Sequence, residues 1–213
     1  MVKFLKEAAQ VKPSKKQLDW FELESYAFIH FGPNTFTDRE WGQGNEPESI
    51  FNPTKLNCDQ WVEAIKAAGM KGMVLTAKHH DGFCMWDSKY SDYKVTAPDC
   101  PYHTNHYADI CAHLFESFRK RDLGVIAYFS KADWHVDSYW SENYERGSYQ
   151  HRGPSYDPKE YPEEWERFVT FTQNQIMELG SRYGQIDGMW FDAGWVCKEN
   201  GQDIRLEIGR AHV

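Results

Sequence analysis

Asp192 stands in the run Met189-Trp190-Phe191-Asp192-Ala193-Gly194-Trp195, a carboxylate closing a short apolar stretch with a tryptophan two places before it. Residues two apart in an extended chain share a face, so Trp190 sets an indole platform beside a potential nucleophile, a pairing that sugar sites use. The plain alternative is that an aspartate after a strand caps the next helix. Asp187, five residues earlier, falls on the opposite face and is read as structural. A second cluster, Lys78-His79-His80-Asp81-Gly82-Phe83, offers two adjacent imidazoles. Adjacent side chains point apart in an extended segment, so both reach one site only if the backbone turns, as Asp81-Gly82 permits. Three readings stand: polar residues closing a strand, neutral imidazoles binding hydroxyls, or a metal site of His30, His79 and Asp81. No HxH or HExxH spacing supports the metal, and imidazoles binding hydroxyls fit better. His30 ends the run Phe28-Ile29-His30 and Glu40-Trp41 lies in the loop after it. Asp133-Trp134-His135 follows another apolar run in the same way, divided evenly between packing and substrate contact. Tyr128, inside that run, can be simple filling.

These residues need strand ends to bring them together, and the pattern supplies them. Tyr26 to His30, Met73 to Ala77, Val125 to Phe129 and Ile186 to Phe191 read as buried strands. Between them lie helical patterns: Asp59 to Ala68, with Asn57 as N-cap and Gly69 past its end; Tyr107, Ile110, Cys111, Leu114, Phe115 and Phe118; and Trp165, Phe168, Val169, Thr172, Ile176 and Leu179. Strands alternating with helices predict an α/β fold with a parallel sheet, whose chemistry sits at the carboxyl ends of the strands. No glycine-rich phosphate loop follows any strand, which favours a (β/α)8 TIM-like barrel over an open nucleotide-binding sheet. Strand starts recur at roughly 50 residues, so a full barrel needs about 400. A chain of 213 residues then holds about the first four β/α units. Residues 1–207 are read as one amino-terminal portion of the barrel. Residues 208–213, which look like translated sequencing-library adaptor, are read as a non-native tail.

Composition narrows the partners. A net charge of -8 and the lack of a basic run argue against nucleic acid, and no apolar stretch is long enough to span a membrane. Five cysteines without CxxC spacing suggest reduced thiols rather than a disulfide framework or a zinc knuckle. The start carries no signal-peptide pattern, so an authentic amino terminus implies a cytoplasmic protein. Aromatic residues reach 16%, enough both to fill a core and to line a sugar cleft.

Phe28-Ile-His-Phe-Gly with Glu40-Trp41, Leu75-Thr-Ala-Lys-His-His-Asp-Gly-Phe83, Tyr128-Phe-Ser-Lys-Ala-Asp-Trp-His135 and Trp190-Phe-Asp192, in that order, resemble glycoside hydrolase family 29, the α-L-fucosidases. The likeness runs over about residues 15 to 205 and implies a retaining α-L-fucosidase acting on fucosylated glycans or glycosides. It implies Asp192 as nucleophile, with His30, Glu40, Trp41, His79, His80, Trp190 and, less securely, Tyr128 around the fucose. It implies no metal, nucleotide or flavin. The family's acid/base lies in a later part of the barrel. Glu199 lacks that context and is left unassigned, so the chain alone is expected to be inactive. The competing functions are a metal-dependent barrel hydrolase using His30, His79 and Asp81, and an inactive sugar-binding fragment.

Overall fold

The computed structural model describes residues 9–141 and 152–206. The tail at 208–213 and the first residues read for a signal peptide lie outside them. In chain order the elements that position the site are α1 (Lys15–Phe21), β1 (Ala27–Ile29), α2 (Asn34–Thr37), α3 (Cys58–Ala67), β2 (Gly72–Lys78), α4 (Ile110–Arg119), β3 (Gly124–Ser130), α5 (Pro162–Arg182) and β4 (Gly188–Asp192). The four strands form one sheet in the order β1-β2-β3-β4, every pair parallel. This is the βαβαβαβ order the sequence predicts, and it matches the first part of a TIM-like barrel. Among the described residues no strand covers the outer edge of β1 or β4.

Local chemistry sets the helix boundaries. The Asn57 side chain accepts from Gln60 N–H and starts α3, while Gly69, just past its end, takes the left-handed backbone (φ +76°). Asp109 caps α4 by accepting from Ala112 N–H, so that helix begins at Ile110. Tyr107, expected on its apolar face, therefore lies before the helix and is exposed. Pro162 opens α5, with Glu163 and Glu164 in the first turn where the helix dipole favours negative charge. Its predicted apolar stripe, Trp165, Phe168, Val169, Thr172, Ile176 and Leu179, is buried throughout. At about 1.5–3 kcal/mol per large apolar side chain buried, that stripe fixes α5 at two places: Ile176 and Leu179 join the sheet core, while Trp165, Phe168 and Val169 pack with Ala132, Tyr139 and Val196 from the segments after β3 and β4. The short α1, which the apolar pattern does not predict, arises from a Ser14–Gln17 capping box and buries nothing.

The main core lies between the sheet and the helices. Met73, Leu75 and Ala77 of β2 and Val125, Ala127 and Phe129 of β3 face it. The alternate residues face the other way: Val74, Ile126 and Tyr128 pack together on the inner face, with Phe28 and Trp190 edge-on beside them. Asp187, read as structural, ties the start of β4 to β3 by accepting from Val125 N–H at 2.8 Å. Among the described residues no helix is long and apolar enough to cross a membrane.

Candidate active site

The inner face ends, at the carboxyl edge of the sheet, in a cluster of imidazoles around one carboxylate. Asp192 is the last residue of β4, and its side chain remains 42% exposed, open to an incoming ligand. Tyr128 donates to Asp192 Oδ2 at 2.5 Å, and Ala193 N–H donates to Oδ1 at 2.6 Å. The second bond requires a sharp turn. Ala193 adopts φ +64°, left-handed backbone that costs a non-glycine residue about 1–2 kcal/mol, and it does so fully buried. Asp192 therefore caps its own following turn rather than a helix. Tyr128 is more than filling: burial, and then the carboxylate beside it, push its hydroxyl far above the ordinary tyrosine range, so it stays a donor.

His80 Nδ1 lies 2.7 Å from Ser130 Oγ, whose own proton goes to Ala132 C=O. The serine must accept, so Nδ1 carries the hydrogen and Nε2 presents a lone pair. That nitrogen faces Asp192 Oδ2 at 3.8 Å. Burial pushes the His80 imidazole down to about 4 against the pull of Asp192, and it is neutral near pH 7. The same logic fixes His30. Thr76 Oγ1 gives its proton to Ile29 C=O and accepts from His30 Nδ1, leaving His30 Nε2 to accept from Asn34 Nδ2 at 2.7 Å. Burial lowers His30 too. His79 lies between them, its ring 4.5 Å from His30, 4.2 Å from His80 and stacked on Tyr128. Burial first, then its two histidine neighbours, push it down to about 2. Three neutral imidazoles and one carboxylate form a surface that accepts and donates hydrogen bonds to hydroxyls.

Around this centre stand indoles. Trp41 lies 6.0 Å from His80 and 5.9 Å from Trp134, and Trp195 lies 4.9 Å from His80. Trp190 is on the inner face, 40% exposed, and edge-on to Phe28. Glu40 is exposed, and its bond to the cluster runs through its backbone carbonyl, which accepts from Asn34 Nδ2 at 3.1 Å. The structure thus brings together His30, His79, His80, Tyr128 and Asp192, with Trp41 at their rim and Trp190 beside Tyr128 across β3 and β4. Sequence reasoning assigned no role to Asn34, Thr76, Ser130 or Trp195. Trp195 had a signal, three residues after Asp192, whereas the others are small polar groups that only tertiary contact makes relevant.

The metal set of His30, His79 and Asp81 is not assembled. Asp81 is buried and turns back into its own loop, accepting from Phe83 N–H at 2.8 Å. Among the described residues the potential ligands that do converge are His79, His80 and Asp192, with donor atoms within 4.8 Å of one another.

Comparison with known proteins gives the family. The family model for alpha-L-fucosidase matches residues 7–211. The chain is 40% identical over 181 residues to alpha-L-fucosidase 1 of Arabidopsis thaliana, covering 84% of this chain and 30% of that protein. Its fold matches the crystal structure of a glycoside hydrolase 29 family member from an unknown rumen bacterium at a TM-score of 0.69 and 36% identity, covering 85% of this chain and 28% of the other. It also matches an α-L-fucosidase of Bacteroides thetaiotaomicron trapped as a covalent intermediate with 2-fluoro-fucosyl fluoride, at a TM-score of 0.67 and 28% identity, covering 86% and 42%. The chain spans about a third of the length of the curated relatives it matches. Its strand order, the carboxylate and histidines at its strand ends, and a family match over nearly its whole length place this chain in the α-L-fucosidase family, glycoside hydrolase family 29.

Proposed function

We propose that this chain is the nucleophile-bearing part of a retaining α-L-fucosidase acting on fucosylated glycans or glycosides. The observation that carries the proposal is Asp192: an accessible carboxylate at a strand end, oriented by Tyr128 and Ala193 and facing a neutral imidazole, in a chain of the fucosidase family. In the first step an oxygen of Asp192 attacks the anomeric carbon. The bond to the leaving oxygen breaks as a second carboxyl group gives that oxygen its proton. Water, deprotonated by the same second group, then cleaves the fucosyl ester and frees Asp192. The covalent intermediate trapped in the Bacteroides relative supports this two-step course.

His80 Nε2, held as an acceptor, takes a hydrogen bond from a sugar hydroxyl, and His79 lies beside it for a neighbouring hydroxyl. Both nitrogens of His30 are engaged, so its part is to brace His79, and any hydroxyl it bound would displace Asn34. Trp190 offers an apolar wall suited to the methyl group of a deoxy sugar. Glu40 and Trp41 complete the contacts from the loop after β1. Retaining chemistry requires the second carboxyl about 5–5.5 Å from the first. Asp81 is turned away and Glu199 sits in the exposed turn Lys198–Asn200, so neither is assigned, and the acid/base is proposed to come from a part of the barrel that this chain does not contain.

The test is Asp192→Gly in the intact protein that contains this chain. Turnover of an activated aryl fucoside should fall by at least about 10³-fold, and azide should restore it by entering from the vacated face to give the β-fucosyl azide. Loss of turnover without rescue would return Asp192 to a structural role. Loss of turnover in the parent on adding a chelator would favour a metal at His79, His80 and Asp192 instead.

A further inference from the structure

The inner and outer faces of β2 do not alternate to its end. Met73, Leu75 and Ala77 point into the helix-facing core, Val74 packs on the inner face, and Thr76 reaches His30 there. Strict alternation would send Lys78 inward and His79 outward. The register with β3 slips at this point: Thr76 pairs with Tyr128 but Lys78 pairs with Phe129, so two steps on β2 answer one on β3. That is a β-bulge, and it reverses the parity of everything after it. Lys78 lands on the helix side, and His79 turns inward against His30 and Tyr128.

Lys78 is fully buried, and its ammonium is held on several sides. Asp133 Oδ2 and Gln175 Oε1 of α5 each accept from it at 2.9 Å, and the Phe129 ring lies 4.3 Å beneath it. Gln175 is itself fixed by donating to Cys84 Sγ. Asp133 Oδ1 accepts from the N–H groups of His135 and Val136, and Trp134 N–H, in the same turn, donates to His80 C=O at 2.7 Å. A buried ammonium outside this socket would be uncompensated, so Lys78 has one place to be.

We propose that Lys78 is a positioning residue: anchored by Asp133 and Gln175, it locks the β2 bulge that turns His79 into the site and leads into the turn that brings His80 beside it. The geometry stands independently of the reaction, but its kinetic consequence rests on the fucosidase reading. Because a displacement of about 1 Å costs roughly 100-fold in rate, Lys78→Met in the intact protein should lower kcat/KM for an aryl fucoside by about that factor. It should also move the imidazole ¹⁵N resonances of His79 and His80. Phe115→Leu, in α4 and remote from the bulge, is the control for a destabilised core: it should lower the thermal midpoint while leaving those resonances in place. If Lys78→Met does not fold, Asp133→Asn keeps the shape, weakens the anchor and is read in the same way. Unmoved imidazole resonances, or an activity loss no greater than that of a control of equal midpoint, would overturn the proposal. A parent without fucosidase activity would refute the reaction assignment alone, since the resonance comparison still decides the role of Lys78.

Discussion

At Asp81 the chain buries a carboxyl group without completing its hydrogen bonds. Oδ1 accepts from Phe83 N–H, while Oδ2 has no partner among the described residues. Burial, reinforced by Glu46 and Asp133, raises this carboxyl to about 7 against the Phe83 bond and the charge of Lys78. A folded-state value above the unfolded one, near 4, means that the folded protein holds a proton the unfolded chain releases. Asp81 therefore costs nothing below that unfolded value, and its cost grows as pH rises and is complete above about 7. Asp81→Asn should stabilise the protein by about 1–3 kcal/mol at pH 8, and the gain should fade as pH drops toward 4. Urea unfolding across that range measures it, and a gain independent of pH would contradict the assignment. Asp133 lies at the other extreme. Burial pushes it up, but the charge and hydrogen bond of Lys78 outweigh burial and hold it below the usual carboxylate range. One residue pairs its charge and the other is held largely protonated below neutral pH, which is how two acids share the wall behind the histidines.

Among the elements, the turn that leaves β2 matters most to the site. Gly82 N–H donates to His79 C=O, closing that turn over the two histidines. Gly82 has φ +87°, and a Cβ there would fall 2.3 Å from Asp133 Oδ1 and 2.9 Å from the Cβ of His135. The turn is thus pressed against the carboxylate that anchors Lys78. Gly69, after α3, has a similar φ of +76° with nothing within 4 Å of its Cβ position. The pair separates backbone strain from steric conflict. Gly69→Ala should cost only about 1 kcal/mol, the left-handed penalty alone, whereas Gly82→Ala should cost about 3 kcal/mol or more and disturb the site. Equal losses in urea unfolding would show that contact with Asp133 contributes nothing. Asn57, Gly69 and the α5 stripe were legible in sequence, because caps and apolar periodicity act within one or two turns. The start of α4 was not, since the apolar run continues through Tyr107 and only the Asp109 cap decides where helix begins.

Across the described chain, the inner face that carries the site is open on both sides. Phe28 is 46% and Trp190 40% exposed, and the outer edges of β1 and β4 have no paired strand among the described residues. Unpaired strand edges beside apolar rings drive association, and a barrel resolves this by closing. The 213-residue chain expressed by itself should therefore self-associate in sedimentation measurements, and Phe28→Lys combined with Trp190→Lys should move it toward monomer. A chain monomeric at every concentration would mean that this face is covered in another way. Lacking an assigned acid/base, the chain alone should also show no turnover of unactivated fucosides.

Periodicity and local capping were enough to read off the alternation of strands and helices, the helix stripes, and the placing of His30, His79 and Asp192 at strand ends. Four short motifs in order also carried the family. Which way the two adjacent histidines face was settled only in three dimensions. Asp81-Gly82 does turn the chain, yet the inward swing of His79 begins earlier, at a bulge held by Lys78, Asp133 and Gln175, whose numbers lie 55 and 97 residues from Lys78. Side-chain parity is a local rule, and a buried charge that finds its partners across the fold can reset it.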